Sequence, residues 1–531
     1  MFKSFSKLHL TAWLLAFCLI ALGAKLLTYQ IYGVNMPYLD QWDEARVCLK
    51  PGLEHRLTWA DLNLPHNEHR ILFTRALDLA EVKINGEWDI PLQIIVNALT
   101  HLAYGVALLL VLWQVTGRPK IGWFVLLLLP IFALPFGAEN VVRGFQSQMY
   151  LVTLFGLLTG WGLGFYRPGQ IAWVIGALTA LAGLFTMASG MLAAAAVIGL
   201  LGLRCLRLKQ SPKQNWPTLL VAGLIVLLGL KLQIHVPAHE QFAAPNLDYF
   251  IRVLLHNLSW PMNEGKTMWL IYCLPIILLA LRYLRGLGQR TAAMEVTLLL
   301  AGWGFLQALV LAWGRAKLFD SCRYYDGLAT LSIAGIAATW LLVTDRPRDA
   351  RQPWFSLGAL VWYGFLLIGL LTCTVQSQRN FLEPNRFWNG YQLANLRYFL
   401  AHDNYKWLPA DDFPCVPYWN LDWMAEILRD PTLAPILPRD VRLDQYLPPA
   451  PASTPTHFIS QTVIPHLPRT VLTLPGVTPA DQVKLVAANG RITTLPPASS
   501  SFPNWSLASP PGPYQVEILS DHTVHWPRLK E

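Results

Sequence analysis

The sequence predicts an all-α polytopic membrane protein of about eleven transmembrane helices, N-terminus cytoplasmic and C-terminus periplasmic, with a small C-terminal β-rich periplasmic domain. Three observations predict it. Of 531 residues 54% are hydrophobic and 14% charged, with 22 tryptophans, a composition outside that of soluble domains, so the bilayer is the main solvent. Apolar runs of about 20 residues, the length that crosses a hydrocarbon core of about 30 Å, recur as far as residue 375. Lysines and arginines collect in every second connection between those runs. The net charge of +9 therefore reflects topology, and no nucleic-acid partner is expected.

The runs lie near 9–30, 92–115, 121–136, 148–166, 171–188, 191–206, 217–234, 268–285, 293–313, 327–344 and 354–373. The first is too long for a signal-peptide core and lacks a small-residue cleavage site, so it reads as a retained span. The apolar stretch 171–206 is too long for one span, and Ser189-Gly190 is its natural break. With Lys3 and Lys7 in the cytoplasm, Arg118/Lys120, Arg167, Arg204/Arg207/Lys209/Lys213, Arg282/Arg285/Arg290 and Arg346/Arg348/Arg351 fall inside as well. Apart from 314–326, the alternate connections are poorer in basic residues and hold most of the acids, histidines and amides. The expected division is a transmembrane domain over 1–375 with a long first periplasmic loop at 31–91, a mixed periplasmic segment at 376–449 and the β-rich domain at 450–531. In that last segment "TVLTLPG", "QVKLVAA" and "PYQVEIL" read as short strands between turn residues.

Candidate chemistry gathers on the face assigned to the periplasm. The first loop opens on "YLDQWDEARVCLK", with Asp40, Asp43 and Glu44, and continues to "LPHNEHRILFTRAL", with His66, Glu68, His69 and Arg70. Desolvation beside a membrane cavity raises a carboxylate's pKa and makes it a candidate general base for a hydroxyl nucleophile; otherwise these are solvated loop residues. The loop "FGAENVVRGFQSQMY" places Glu139, Asn140, Arg143 and Gln146 between two apolar helices, where they either face a cavity or cap and snorkel. The loop "WGRAKLFDSCRYYDG" adds a cationic patch of Arg315, Lys317 and Arg323 beside Tyr324, able to hold a phosphate bidentately or to meet lipid headgroups. His235, His239 and Glu240 only superficially resemble metal-ligand spacing, and no metal site is expected. Cys48, Cys322 and Cys415 would face an oxidising compartment, as one disulfide or as free thiols. Asp403, Asp411 and Asp412, with Trp419 and Trp423, either shape an acceptor groove or are solvated surface. No span shows the midplane charges or broken inverted halves of an ion-coupled transporter, which favours chemistry at the interface.

The arrangement resembles the GT-C superfamily of polyprenyl-phosphate-dependent membrane glycosyltransferases, which includes protein mannosyltransferases, oligosaccharyltransferases and lipid A aminoarabinose transferases. "WDEAR" at 42–46 is similar to the Asp-Glu-x-Arg signature opening the first periplasmic loop of the aminoarabinose transferase branch, which implies Asp43 as the loop aspartate. Glu68 in "HNEHR" falls where that branch carries a second acidic motif, and Glu139 where oligosaccharyltransferases place further acids. "VCLK" follows the motif instead of Tyr-Ala-Glu, and the later Lys-Pro-Pro element is missing. The resemblance implies sugar transfer from a polyprenyl-phosphate donor to an envelope acceptor. Asp43 would take the acceptor proton, with Asp40, Glu44 and Glu68 as further catalytic acids. Arg70, Arg315, Arg323 and Tyr324 would hold the phosphate, and His66, His69, Glu139 and Gln146 would support the acceptor. No cofactor is expected, although the acids leave room for a divalent cation. A translocator of envelope glycolipids and a structural subunit with a recruiting tail are the alternatives.

Overall fold

The computed structural model describes residues 2–118, 121–208, 215–262, 267–287, 291–318, 320–345, 352–402 and 416–442, together with short strands between 446 and 529. Asp403, Asp411, Asp412 and Cys415 lie outside the described residues, as do Lys120, Lys209, Lys213, Arg290, Arg346, Arg348 and Arg351. Among the described residues, Cys322 is a free thiol.

Among the described residues, eight helices are long and apolar enough to cross a membrane: His9–Tyr32, Ile90–Val115, Ile121–Val142, Gly144–Phe165, Ala188–Arg207, Thr291–Gly314, Cys322–Thr344 and Pro353–Arg397. Three shorter apolar helices, Ile171–Gly183, Trp216–Leu232 and Met268–Leu284, stand at the remaining apolar runs. At 13, 17 and 17 residues they extend only about 20–26 Å, short of a core of about 30 Å. The first of them stops well before Ser189-Gly190. The chain turns after Gly183, and a 3₁₀ turn at Ala188–Met191 leads into the next helix. Gly183 and Gly190 meet backbone to backbone there, so close that a Cβ on Gly190 would run into the Gly183 carbonyl.

The chain divides into two compact units. The first comprises Met1–Leu26, Thr58–Leu77 and Ile94–Phe381. Its helices pack through small residues, as expected where lipid gives no hydrophobic drive for association. Gly162 and Gly176 bring two helices into backbone contact, and a Cβ on Gly176 would lie 2.8 Å from the Gly162 Cα. A second layer of Leu279, Tyr283, Met294, Ala338 and Leu341 is fully apolar apart from the Tyr283 hydroxyl, which donates to Glu295. The segment before the helix Leu72–Asn85 is held by the buried Arg75, whose Nη1 donates to the carbonyls of Asp61 and Leu62.

Ionisable side chains stand toward the ends of the spans, buried at Lys25 and Glu295 and half-buried at Arg204 and Asp326. Lys25 sits about 10 Å inside the end of its helix at Tyr32, Arg204 pairs with Glu295 at 2.8 Å, and Asp326 lies one turn into the helical stretch that begins at Cys322.

The second unit comprises Leu27–Leu57, Asp78–Gln93 and Leu382–Glu531. Trp42 and Trp88 meet edge to face, 5.7 Å between ring centroids, at the centre of its helical part, and both are fully buried. A buried chain of side-chain hydrogen bonds, Gln41 to Gln93 at 2.6 Å and Gln93 to Asp78 at 2.9 Å, ties its first and second segments together. The third is fastened by Glu87, which pairs with Arg439 at 3.0 Å and accepts from its backbone N–H, and by the ion pair of Lys50 with Asp430. Further along, Phe458–Val463, Tyr514–Leu519, Gln482–Ala487 and Ile492–Thr494 pair antiparallel in that spatial order. Thr470–Thr473 pairs with Asn504–Leu507, and Tyr446–Leu447 with Arg528–Leu529.

Candidate functional site

In the first unit the site begins at a two-residue turn. His66 and His69 exchange backbone hydrogen bonds at 2.8 and 2.9 Å, and Asn67 takes the left-handed conformation at φ 51°, which asparagine tolerates better than most residues. Glu68 is thereby carried at the tip of the turn. Its Oε2 accepts from Nη2 of Arg315 at 2.6 Å and its Oε1 faces Nδ1 of His239 at 2.5 Å. Residues 68, 239 and 315 come from three separate connections, so no local spacing announces the cluster. His239 turns to Glu68, while His235 pairs with Glu240 at the surface.

The electrostatics of Glu68 run opposite to the sequence expectation. Desolvation would raise its carboxyl, but hydrogen bonds from Arg315 and His239 and the Arg315 charge outweigh burial and hold it at about 2. Glu68 is thus a fixed anion and a weak base. Burial pushes the His69 imidazole down to about 4, against the opposing pull of Glu68. His69 is neutral at pH 7, its Nδ1 accepts from the Ala188 N–H at 3.2 Å, and the proton is therefore assigned to Nε2.

Glu68, His69 and Arg315 line a cavity of about 380 Å³. Its walls are largely apolar, from Met149, Val152, Met191, Leu192, Val310 and Trp313; Glu68, His69, Arg315, Tyr324 and Asp326 are among its polar groups, with Thr153, Ser189, Gln233 and Gln307. Arg315 makes both its side-chain hydrogen bonds through Nη2, leaving Nη1 and Nε without one among the described residues, and its guanidinium lies over the Phe242 ring at 5.8 Å. A largely apolar volume with a guanidinium in its wall can take an apolar ligand with an anionic head.

Next to it, Glu139 is buried and held bidentately by Arg323, at 3.0 Å to Nη2 and 3.1 Å to Nε. Asn140 donates to the Asp326 carboxylate at 2.7 Å and to the Arg323 carbonyl at 2.8 Å, which fixes the turn Cys322–Tyr324. Gln146 is buried where the helix Ser147–Phe165 begins. Arg70 donates Nη1 to the Asn63 carbonyl at 2.6 Å and His66 packs against Phe145; neither is among the residues lining the cavity.

Asp43, Asp40 and Glu44 belong to the second unit. The backbone N–H of Leu39 donates to the Pro417 carbonyl at 2.7 Å, and the Tyr418 hydroxyl donates to Oδ1 of Asp43. Asp43 is partly exposed on the short helix Gln41–Glu44, whereas Glu44 is buried; Asp40 precedes that helix without a side-chain capping bond. A π turn over Ala45–Leu49 follows, a geometry often found at functional sites. Burial, then the hydrogen bond to Asp43, drive the Tyr418 hydroxyl far above its ordinary value, so it remains a donor. Arg46 pairs with Glu426 at 3.4 Å and lies over the Trp423 ring at 4.4 Å, and Trp419 and Trp423 are exposed.

Sequence reasoning missed Asp326, Asn140 as its holder, His239 as a partner of Glu68, and Tyr418. "CRYYDG" did carry a signal, because an aspartate opening an apolar run needs a partner or a cavity. Among the described residues no group of three or more His, Cys, Asp or Glu gathers to hold a metal.

No protein-family model matches the chain, and no curated protein matches it either. Among solved structures, the chain is similar to the crystal structure of ArnT from Cupriavidus metallidurans bound to undecaprenyl phosphate, at 14% identity and a TM-score of 0.36, over 71% of this chain and 74% of that one.

Proposed function

We propose that the chain is a GT-C-type membrane glycosyltransferase that moves a sugar from a polyprenyl-phosphate donor to an envelope acceptor. The observation that carries the reading is the cavity of about 380 Å³, largely apolar along its walls and lined by Arg315. Isoprenoid carbon would be buried against Met149, Val152, Leu192 and Val310, and the departing phosphate would be neutralised by Nη1 and Nε of Arg315. Glu68 and His239 act as positioning residues that aim the guanidinium, and the neutral His69 offers Nε2–H as a donor. Asp43 is the proposed base for the acceptor hydroxyl, oriented by Tyr418, with Asp40 and Glu44 beside it. The "WDEAR" motif supports that assignment. The enzyme would sit in the bacterial inner membrane with about eleven spans and its active face toward the periplasm, where the basic connections leave the acids and amides. Its domains would be a transmembrane domain over 1–375, a mixed segment over 376–449 and a periplasmic domain over 450–531. The deciding experiment is transfer in proteoliposomes loaded with a polyprenyl-phosphate sugar: Asp43→Asn and Arg315→Gln should abolish product while the protein still inserts, and full activity of both would remove the reading.

A second reading, translocation of an envelope glycolipid, is favoured by the buried Lys25 and by the cavity-facing Asp326 in the spans. Flipping without a covalent product, lost in Lys25→Met, would select it.

A further inference from the structure

One carboxylate on the cavity wall, and the polar groups around it, have no role in the transferase reading. Asp326 is half-buried: it lines the cavity, while Asn140 donates to its Oδ2 at 2.7 Å. Gly137 gives that oxygen its room, since a Cβ there would lie 2.7 Å from it. Lys25, 6% exposed, carries its ammonium 5.3 Å from the Tyr150 ring centroid, and the acid within its electrostatic reach is Asp326. His101, also buried, stacks on Tyr150 at 4.5 Å and on Tyr104 at 6.2 Å. Nδ1 of His101, the Tyr150 hydroxyl and Oδ1 of Asn140 are buried and make no hydrogen bond among the described residues. Ionisable groups set this deep in a span cost free energy and mark proton or ion chemistry.

Charge decides which chemistry. Two cations, Arg315 on the wall and Lys25 near Asp326, stand against two carboxylates on the wall, Glu68 and Asp326, so the empty site is balanced. Glu139 is neutralised separately by Arg323, and the Tyr104 and Tyr150 hydroxyls that face Asp326 are uncharged, as is His69 across the cavity. An anion entering the cavity adds a negative charge beside the two carboxylates, and like charges in a low dielectric favour protonation of one of them. Glu68 cannot be that one, because Arg315 and His239 hold it as an anion. Asp326 has a single carboxamide donor and opens on the cavity.

We propose that Asp326 binds a proton as an anionic ligand enters the cavity, so that occupation of the cavity is proton-coupled. The proton passes from water to a carboxylate oxygen and no other bond changes. Lys25 and Asn140 are positioning residues that keep the carboxylate ionised while the cavity is empty. The inference rests on the reading of this cavity as a lipid-phosphate site.

The test uses the full-length chain in lipid nanodiscs, with farnesyl methyl phosphate as probe, a phosphodiester that stays singly charged at every pH used, and with empty nanodiscs subtracted. Calorimetry in buffers of different ionisation enthalpy counts the protons. About one proton should be taken up per ligand near neutral pH, and affinity should fall by up to about tenfold per pH unit as pH rises. Asp326→Asn should bind without uptake and without pH dependence, and Asn140→Ala, which strips a hydrogen bond from the carboxylate, should move the affinity profile to higher pH. The infrared difference spectrum of the unaltered protein should gain a carboxylic-acid C=O band on binding, a readout that needs no variant to fold. Binding without proton uptake, or with equal uptake in Asp326→Asn, overturns the proposal and leaves the lipid-phosphate reading intact. Proton-coupled binding that is undiminished in Arg315→Gln removes Arg315 as the phosphate's holder and leaves the proton site standing. No binding at any pH overturns both.

Discussion

Replacing Glu68 by glutamine removes the anion that Arg315 and His239 share and leaves a partly buried guanidinium facing a neutral amide. The fall of the Glu68 carboxyl from 4.5 to about 2 corresponds to an interaction of about 3 kcal/mol. With 21% of the side chain exposed, solvent screening reduces this to roughly 2 kcal/mol. Glu68→Gln and Arg315→Met should each lower the unfolding free energy by about 2 kcal/mol at pH 7, and the double variant by little more than either, a coupling of about 1.5 kcal/mol. Because the folded pKa is the lower one, the contribution of Glu68 is complete above pH 4.5 and disappears as pH falls toward 2. Denaturant unfolding in mild detergent across pH 3–8 measures both effects. Additivity of the two substitutions within about 0.5 kcal/mol, or an unchanged acid limb in Glu68→Gln, would refute the assignment of Glu68 as a fixed anion.

Other expectations follow from the same geometry. His69, neutral with a depressed pKa, contributes stability that is full above about 6.5 and falls away toward 4, so His69→Asn should flatten the pH 4–6.5 range of the unfolding profile and leave the more acidic range to Glu68. Arg323→Gln strands the buried Glu139 and should cost about 3–5 kcal/mol, seen as loss of folded yield that Glu139→Gln/Arg323→Gln partly restores. Gly176→Val forces apart helices in backbone contact and should lower the thermal midpoint, whereas Gly199→Ala, with open space around its Cα, should not. Asp43→Asn should reduce sugar transfer by about 10²–10⁴-fold with the thermal midpoint unchanged, and Tyr418→Phe should shift the pH profile of transfer.

The apolar helices were the most legible in sequence, because their length and composition are set by the bilayer itself. Helices stand at each of the apolar runs, yet Ile171–Gly183 ends early because Gly183 and Gly190 pack backbone to backbone, a tertiary contact that hydropathy does not encode. For the site, sequence named Glu68, Arg315, Arg323 and Glu139 individually. Their pairing was not legible, since the partners lie 247 and 184 residues apart. The direction of the Glu68 shift was misjudged for the same reason: burial is readable from a loop beside a span, but the guanidinium that outweighs it arrives from another loop. Asp326 was overlooked because Asn140, Lys25 and the cavity explain it only in three dimensions.

The central claim is that Arg315 receives a lipid phosphate in the largely apolar cavity, and retention of undecaprenyl phosphate on the purified chain tests it most directly. Native mass spectrometry should show the lipid bound to the unaltered protein and to Arg252→Gln, whose arginine pairs with Asp248 at the surface, and at least about tenfold less on Arg315→Gln. Undiminished retention by Arg315→Gln would contradict the claim.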